Sequence, residues 1–106
     1  ISAEVIDLRT VLPLDIETIA ASVKKTNRVL VTCEAPRTGS FGTTIVTEIV
    51  KRCFDDLDAR PVRLSSQDIP TPYNGTLENL TIIQPHQIVE AAKAESRVLG
   101  VVRARF

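Results

Sequence analysis

The residue types best suited to chemistry gather in TCEAPRTGSFGTT, from Thr32 to Thr44, which holds Glu34, Arg37, Ser40, Thr43 and Thr44 around two glycines. A strand running into such a loop and then a helix is a setting for phosphate, because unpaired N–H groups at a helix start face an anion. Arg37 would add a charged donor. The spacing fits neither familiar phosphate loop: Gly39-Ser40-Phe41-Gly42 lacks the dinucleotide pattern, and no Lys-Ser or Lys-Thr follows. Ser40 lacks the nucleophile elbow. His86, the single histidine, opens an expected helix with no partner nearby in sequence, and reads as solvated or bonded to backbone. The loop is therefore read as a corner in which Gly39 and Gly42 permit turns and Thr43 or Thr44 caps the helix. An anion site at Thr43–Thr44 is the alternative. Glu34 is expected to pair with Arg37 or to brace the loop. No catalytic, cofactor-binding or metal-binding residue is assigned.

Cys33 and Cys53 form no zinc spacing and read as buried small hydrophobes. Asp55, Asp56 and Asp58 crowd the expected end of a helix, where the dipole disfavours acids. Such a local conflict can mark a surface in use. Over 106 residues the formal net charge is +0, with 43% hydrophobic and 25% charged residues. That balance argues against a nucleic-acid surface and against a polybasic membrane anchor. No apolar run approaches a membrane span, and no leader pattern opens the chain. The sequence has no methionine, so a processed, trimmed or partial chain is expected.

These residues need elements to position them. Ala3 to Leu8 reads as a strand. Asp15 caps a helix to about Lys25 with Ile16, Ile19, Ala20 and Val23 on one face, and Asn27 stops it. Val29 to Cys33 is a continuous apolar run, suited to a strand buried on both faces. Ile45, Val46, Ile49, Val50, Cys53, Phe54 and Leu57 predict a helix from about Thr43 to Leu57. Pro61 to Leu64 is a third strand, and Ser65 to Gln84 a long ordered loop. Pro85 opens a last helix bearing Ile88, Val89, Ala91 and Ala92. The tail admits three readings: a strand, a disordered end, or residues beyond the domain. The order predicts an α/β fold, a three-layer α/β/α arrangement on a mostly parallel sheet.

Up to about Ala94 the chain resembles a known family. EVIDLRTVLPLDIETIAASVKKTNRVLV (Glu4 to Val31), CEAPRTGSFG (Cys33 to Gly42), CFDDLDARPVRL (Cys53 to Leu64) and QDIPTPY (Gln67 to Tyr73) carry the likeness. They resemble the C-terminal domain, transketolase C-terminal-like, of the β subunit of thiamine-diphosphate E1 enzymes. Those enzymes act on pyruvate, branched-chain 2-oxo acids or acetoin. The resemblance implies a non-catalytic assembly domain spanning residues 1–94, inactive alone, in a complex that decarboxylates a 2-oxo acid and passes the acyl group to E2 lipoyl. It implies that thiamine diphosphate and magnesium belong to the intact enzyme and are not held by this domain. It implies three partners: an E1 α subunit, a second β subunit in an α2β2 heterotetramer, and the E2 subunit-binding domain. Glu34, Arg37 and Phe41 would brace a subunit interface, and Asp58 would meet basic side chains of E2. Bacterial cytoplasm or mitochondrial matrix is the implied compartment.

The family domain normally begins one strand and one helix before Ile1, and that strand lies centrally, between the partners of Ala3–Leu8 and Val29–Cys33. Its absence would leave unpaired backbone in mid-sheet. Another segment must fill the gap, or the chain is the ordered remnant of a larger protein. The tail 95–106 has no family counterpart and is either the filler or a fusion. The alternatives to an E1 part are a free-standing α/β interaction module and an anion-binding domain without enzyme activity.

Overall fold

The computed structural model describes residues 1–95 and 98–104. In chain order it contains β1 (Ser2–Asp7), α1 (Ile16–Thr26), β2 (Val29–Pro36), α2 (Phe41–Cys53), β3 (Val62–Ser66), α3 (Gly75–Thr81), α4 (Pro85–Glu95) and β4 (Val98–Ala104). The four strands form one parallel sheet in the order β1-β4-β2-β3.

Local chemistry sets the helix ends. Asp15 accepts from the Thr18 amide at 3.1 Å and from its hydroxyl at 2.6 Å, closing the start of α1. These bonds hold the Asp15 carboxyl below its ordinary range, the Thr18 hydroxyl contributing most. Asn27 takes the left-handed conformation that ends α1, and its amide returns to the Val23 carbonyl. Pro85 occupies the first position of α4, where a missing N–H costs nothing. At the other end of α4, Arg28 donates to the Glu95 carbonyl at 2.6 Å.

Alternation along β2 sorts side chains into the layers. Val29, Val31 and Cys33 face one way and join Ile19, Val23, Ile45, Ile49 and Cys53 of α1 and α2 in the main core. Leu30 faces the other way, against Val62, Leu64, Ile88, Ala91 and Ala92. Helices thus cover both sides of β2, which is why Val29 to Cys33 is buried throughout. The chain steps from β1 to β2 to β3 with α1 and α2 on one face, then returns through α4 on the other. Right-handed crossovers demand that switch of face.

Several expectations are corrected. The segment 65–84 is not all loop: Asn74 accepts from the Thr76 and Leu77 amides and caps α3, which buries no residue. The second helix starts at Phe41, with Ser40 in the capping position and neither Thr43 nor Thr44 there. It ends at Cys53 rather than Leu57, and a single 3₁₀ turn follows over Phe54–Asp56. Lys51 and Arg52 therefore occupy its last turn, where they suit the dipole, and the acids lie just beyond it. Phe54, expected on the apolar face, is 69% exposed because the helix has ended before it.

The gap between β1 and β2 holds β4. It pairs with β1 from Ser2↔Val98 to Asp7↔Arg103 and with β2 from Val29↔Gly100 to Cys33↔Ala104. A boundary between 94 and 95 falls inside α4, and the segment after it belongs to the same sheet. Of that tail, Ser96, Arg97, Arg105 and Phe106 lie outside the described residues.

Ile49, fully buried in the main core, sets a test of this packing. Ile49→Ala is expected to cost about 2–5 kcal/mol in chemical denaturation. Leu12→Ala, at a side chain 88% exposed, should stay within about 0.5 kcal/mol of the parent.

Candidate functional site

The corner between β2 and α2 is tied down from three sides. The Arg37 amide donates to the Ser66 carbonyl at 3.1 Å. The Thr38 amide and hydroxyl both donate to the Asp68 carboxylate, at 2.7 and 2.8 Å. Gly39 follows with φ of +73°, a conformation that side chains resist. Ser40 is buried and its hydroxyl makes no capping bond. Instead Arg63 of β3 donates through Nη1 to the Ser40 hydroxyl at 2.9 Å and the Thr43 hydroxyl at 2.5 Å. The start of α2 is thus engaged by the chain's own guanidinium. Gly42 is buried there because space is short: a Cβ would meet Arg63 Cδ at 3.3 Å and Cys33 Sγ at 3.6 Å.

The residues singled out by sequence fall into two groups. Glu34 and Arg37 are exposed at this corner, and Phe41 is half-buried against the main core. No salt bridge joins Glu34 to Arg37, which removes the first of the two expected roles of Glu34. The Glu34 contact that shapes the corner is its backbone carbonyl, which accepts from the Ser66 hydroxyl at 2.5 Å. His86 is exposed on α4. Asp58 lies past the opposite end of α2, a helix roughly 20 Å long. The corner and the acidic turn are therefore separate surfaces.

That acidic turn borders an open groove of about 510 Å³ lined by Val50, Phe54, Asp55, Leu57, Asp58, Ala59, Arg60 and Pro61. The Asp58 amide donates to the Asn27 carbonyl at 2.8 Å, and Asn27 Nδ2 donates to the Asp56 carbonyl at 2.7 Å. The end of α1 thereby fixes the backbone that presents Phe54 and Asp58. The lining combines apolar side chains with two carboxylates and one guanidinium, Arg60, a mixture that suits an apolar anchor flanked by basic groups.

Neither surface offers a reacting group of unusual character. Among the described residues no three His, Cys, Asp or Glu side chains converge to hold a metal. Burial pushes the Cys53 thiol up, away from reactivity. The carboxyls held below their ordinary range have plain structural causes. Asp68 is lowered by the Thr38 amide first and its hydroxyl second, and Glu48 by Lys51 and then Arg52. Sequence reasoning missed Arg63 with its bond to Ser40, Asp68, and the exposure of Phe54. The β alternation, with Arg63 opposite Val62 and Leu64, was the available signal for the first.

Two outcomes test the corner. The folded pKa of Asp68 lies below its ordinary 3.8, so its contribution is full above that value and lost as pH falls through the lower one. The stability gap between the parent and Asp68→Asn should therefore be constant near neutrality and close in acid, as read by denaturation at several pH values. Gly42→Ala should raise Tm by more in an Arg63→Ala background than alone, since the crowding atom is then gone.

Comparison with known proteins accords with this architecture. The profile described as "Transketolase, C-terminal domain" matches residues 1–88. "Pyruvate dehydrogenase E1 component subunit beta" of Porphyra purpurea is 57% identical over 90 residues, covering 85% of this chain and 27% of the relative. The protein of that name from Gracilaria tenuistipitata var. liui is 54% identical over 91 residues, 86% of this chain and 28% of the relative. "Pyruvate dehydrogenase E1 component subunit beta-2, chloroplastic" of Arabidopsis thaliana is 52% identical over 90 residues, 85% of this chain and 22% of the relative. The chain thus spans about a quarter of the length of these relatives. With the match covering most of its length and the parallel sheet layered as described, this chain belongs to the transketolase C-terminal domain family.

Proposed function

We propose that this domain serves the β subunit of a pyruvate dehydrogenase E1 as a non-catalytic assembly and docking domain. Pyruvate is favoured over branched-chain 2-oxo acids or acetoin by the names of the relatives. The intact enzyme would use thiamine diphosphate and magnesium, with an E1 α subunit and a second β subunit as partners. The described residues do not fit that cofactor. No metal-holding group is present among them, and Arg63 already engages the hydroxyls at the start of α2. The reading accordingly assigns the cofactor to other parts of the enzyme. Among the described residues no helix is long and apolar enough to cross a membrane. A chloroplast-type compartment is the proposal that the Arabidopsis relative supports, in place of the bacterial cytoplasm or mitochondrial matrix first expected.

The groove beside Phe54 carries the docking half of the reading. Its exposed aromatic and the Asp55 and Asp58 carboxylates suit the basic surface of an E2 subunit-binding domain. Glu34, Arg37 and Phe41, at the other end of α2, are proposed to brace a contact between E1 subunits.

The test uses a complete β subunit carrying this domain, co-expressed with its α subunit. Phe54→Ser and Asp58→Lys should each weaken binding of the E2 subunit-binding domain by about tenfold or more, with Tm unchanged. Unaltered affinity in both variants refutes the docking role. Separately, the 106-residue chain should show no pyruvate turnover and no saturable thiamine diphosphate binding. Saturable binding by this chain alone refutes the assignment of the cofactor elsewhere.

A further inference from the structure

The turn that presents Phe54 and Asp58 has little of its own to hold it. It is a single 3₁₀ turn over Phe54–Asp56, closed by one bond from the Leu57 amide to the Phe54 carbonyl at 3.3 Å. Its exposed side chains add little support. Phe54 is 69% exposed, and Asp55 and Asp58 are exposed and take part in none of the ion pairs among the described residues. Leu57 packs back on the main core.

What fixes the turn comes from the end of α1. The Asn27 carbonyl accepts from the Asp58 amide at 2.8 Å, and Asn27 Nδ2 donates to the Asp56 carbonyl at 2.7 Å, 29 positions away. The two bonds bracket Leu57 on either side. Asn27 is itself half-buried and does not line the groove. The buried Thr26 beside it donates its hydroxyl to the Ser22 and Arg28 carbonyls at 2.9 and 3.3 Å, which steadies the post on which Asn27 stands. The left-handed conformation here, with φ of 61°, does not require asparagine, because glycine adopts it at no steric cost. The side-chain amide is therefore the part of Asn27 that ending the helix leaves unexplained, and its shortest bond goes to the docking turn. The Lys24 carbonyl, 3.4 Å from the same Nδ2, is the weaker of its two acceptors.

We propose that Asn27 is a positioning residue for the groove: its side-chain amide holds the 54–58 turn in the shape that offers Phe54 and Asp58 together to the E2 subunit-binding domain. The inference rests on the docking reading above and adds to it a residue that touches no partner. Its physical basis is preorganisation. A turn already fixed loses no freedom when the partner seats on it, whereas a loosened turn must first be ordered, which lowers affinity. Loss of one hydrogen bond of ordinary net strength corresponds to about fivefold in an equilibrium constant.

The test uses the complete β subunit co-expressed with its α subunit, and compares Asn27→Gly with Phe54→Ser and Asp58→Lys for affinity toward the E2 subunit-binding domain. Glycine keeps the left-handed cap, the amide bond to Val23 and the carbonyl bond to Asp58. A residue that merely ends the helix would therefore leave affinity at the parent value. The expected result is about fivefold weaker binding with Tm unchanged. The effect of Asn27→Gly should shrink when Phe54→Ser is already present, because the amide acts through that side chain. Parent affinity in Asn27→Gly, while Phe54→Ser and Asp58→Lys bind weakly, overturns this inference and leaves the docking reading standing. Parent affinity in all three variants refutes docking itself and this inference with it. Hydrogen exchange in the 106-residue chain supplies a readout that needs no partner. The Leu57 and Asp58 amides should exchange faster in Asn27→Gly than in the parent, while α1 amides such as that of Val23 do not. Unchanged exchange at Leu57 and Asp58 overturns the inference whatever the affinity. Equal acceleration throughout α1 does so too, since it marks a weakened helix and not a loosened turn.

Discussion

Backbone N–H and C=O groups in the middle of a parallel sheet have no water to turn to, and the rest of this structure depends on their being paired. β4 meets that requirement on both sides. Its position decides where everything else goes. β1 becomes an edge strand at one end and β3 at the other. The return from β3 to β4 places α4 on the face opposite α1 and α2, and Leu30, alone among the β2 residues in its cluster, gains a cover there. The coverage is uneven: Val5 is 65% exposed on β1 and does not join the Leu30 cluster. Stability is concentrated around β2, where both faces are closed, and thins toward β1.

The corner at the start of α2 shows a second constraint, electrostatic in kind. A helix start carries partial positive charge, so a guanidinium beside it is unfavourable unless something accepts its protons. The Ser40 and Thr43 hydroxyls do so for Arg63. Ser40 thereby gives up the capping bond that its position would allow. The compensation comes from the loop itself, where Asp68 gathers two donors from Thr38. A glycine-bearing turn that resembles an anion cradle in sequence is thus an internally satisfied joint between a strand and a helix.

Where local chemistry governs, the sequence was readable. Asp15 and Asn27 bracket α1 because capping depends on residues three or four apart, and VLVTC announces a doubly covered strand because nothing polar interrupts it until Thr32. The three-layer order followed from alternating strands and helices. What stayed hidden depended on distant partners or weak periods. α3 buries no residue, so no apolar stripe marks it, and Asn74-Gly75 reads as a turn where Asn74 in fact caps a helix. The Arg63 contact joins residues on different elements, which no local pattern encodes. VLGVVRA carries β-branched residues, yet its place between β1 and β2 comes from pairing partners far away in sequence. The exposed Phe54 was misplaced for a simpler reason: the apolar period ran one turn past the true end of α2.

The strand order also has a temporal side. β1 is made well before its pairing partner β4, Ser2 being registered with Val98. Contacts between such distant residues cost chain entropy before they return any energy, which slows the final step of folding. Until that step, β1 and the inner border of β2 present raw edges to any other extended chain nearby. The interval between synthesis of the walls and arrival of the last strand is therefore when this domain is most open to aggregation and to chaperone capture.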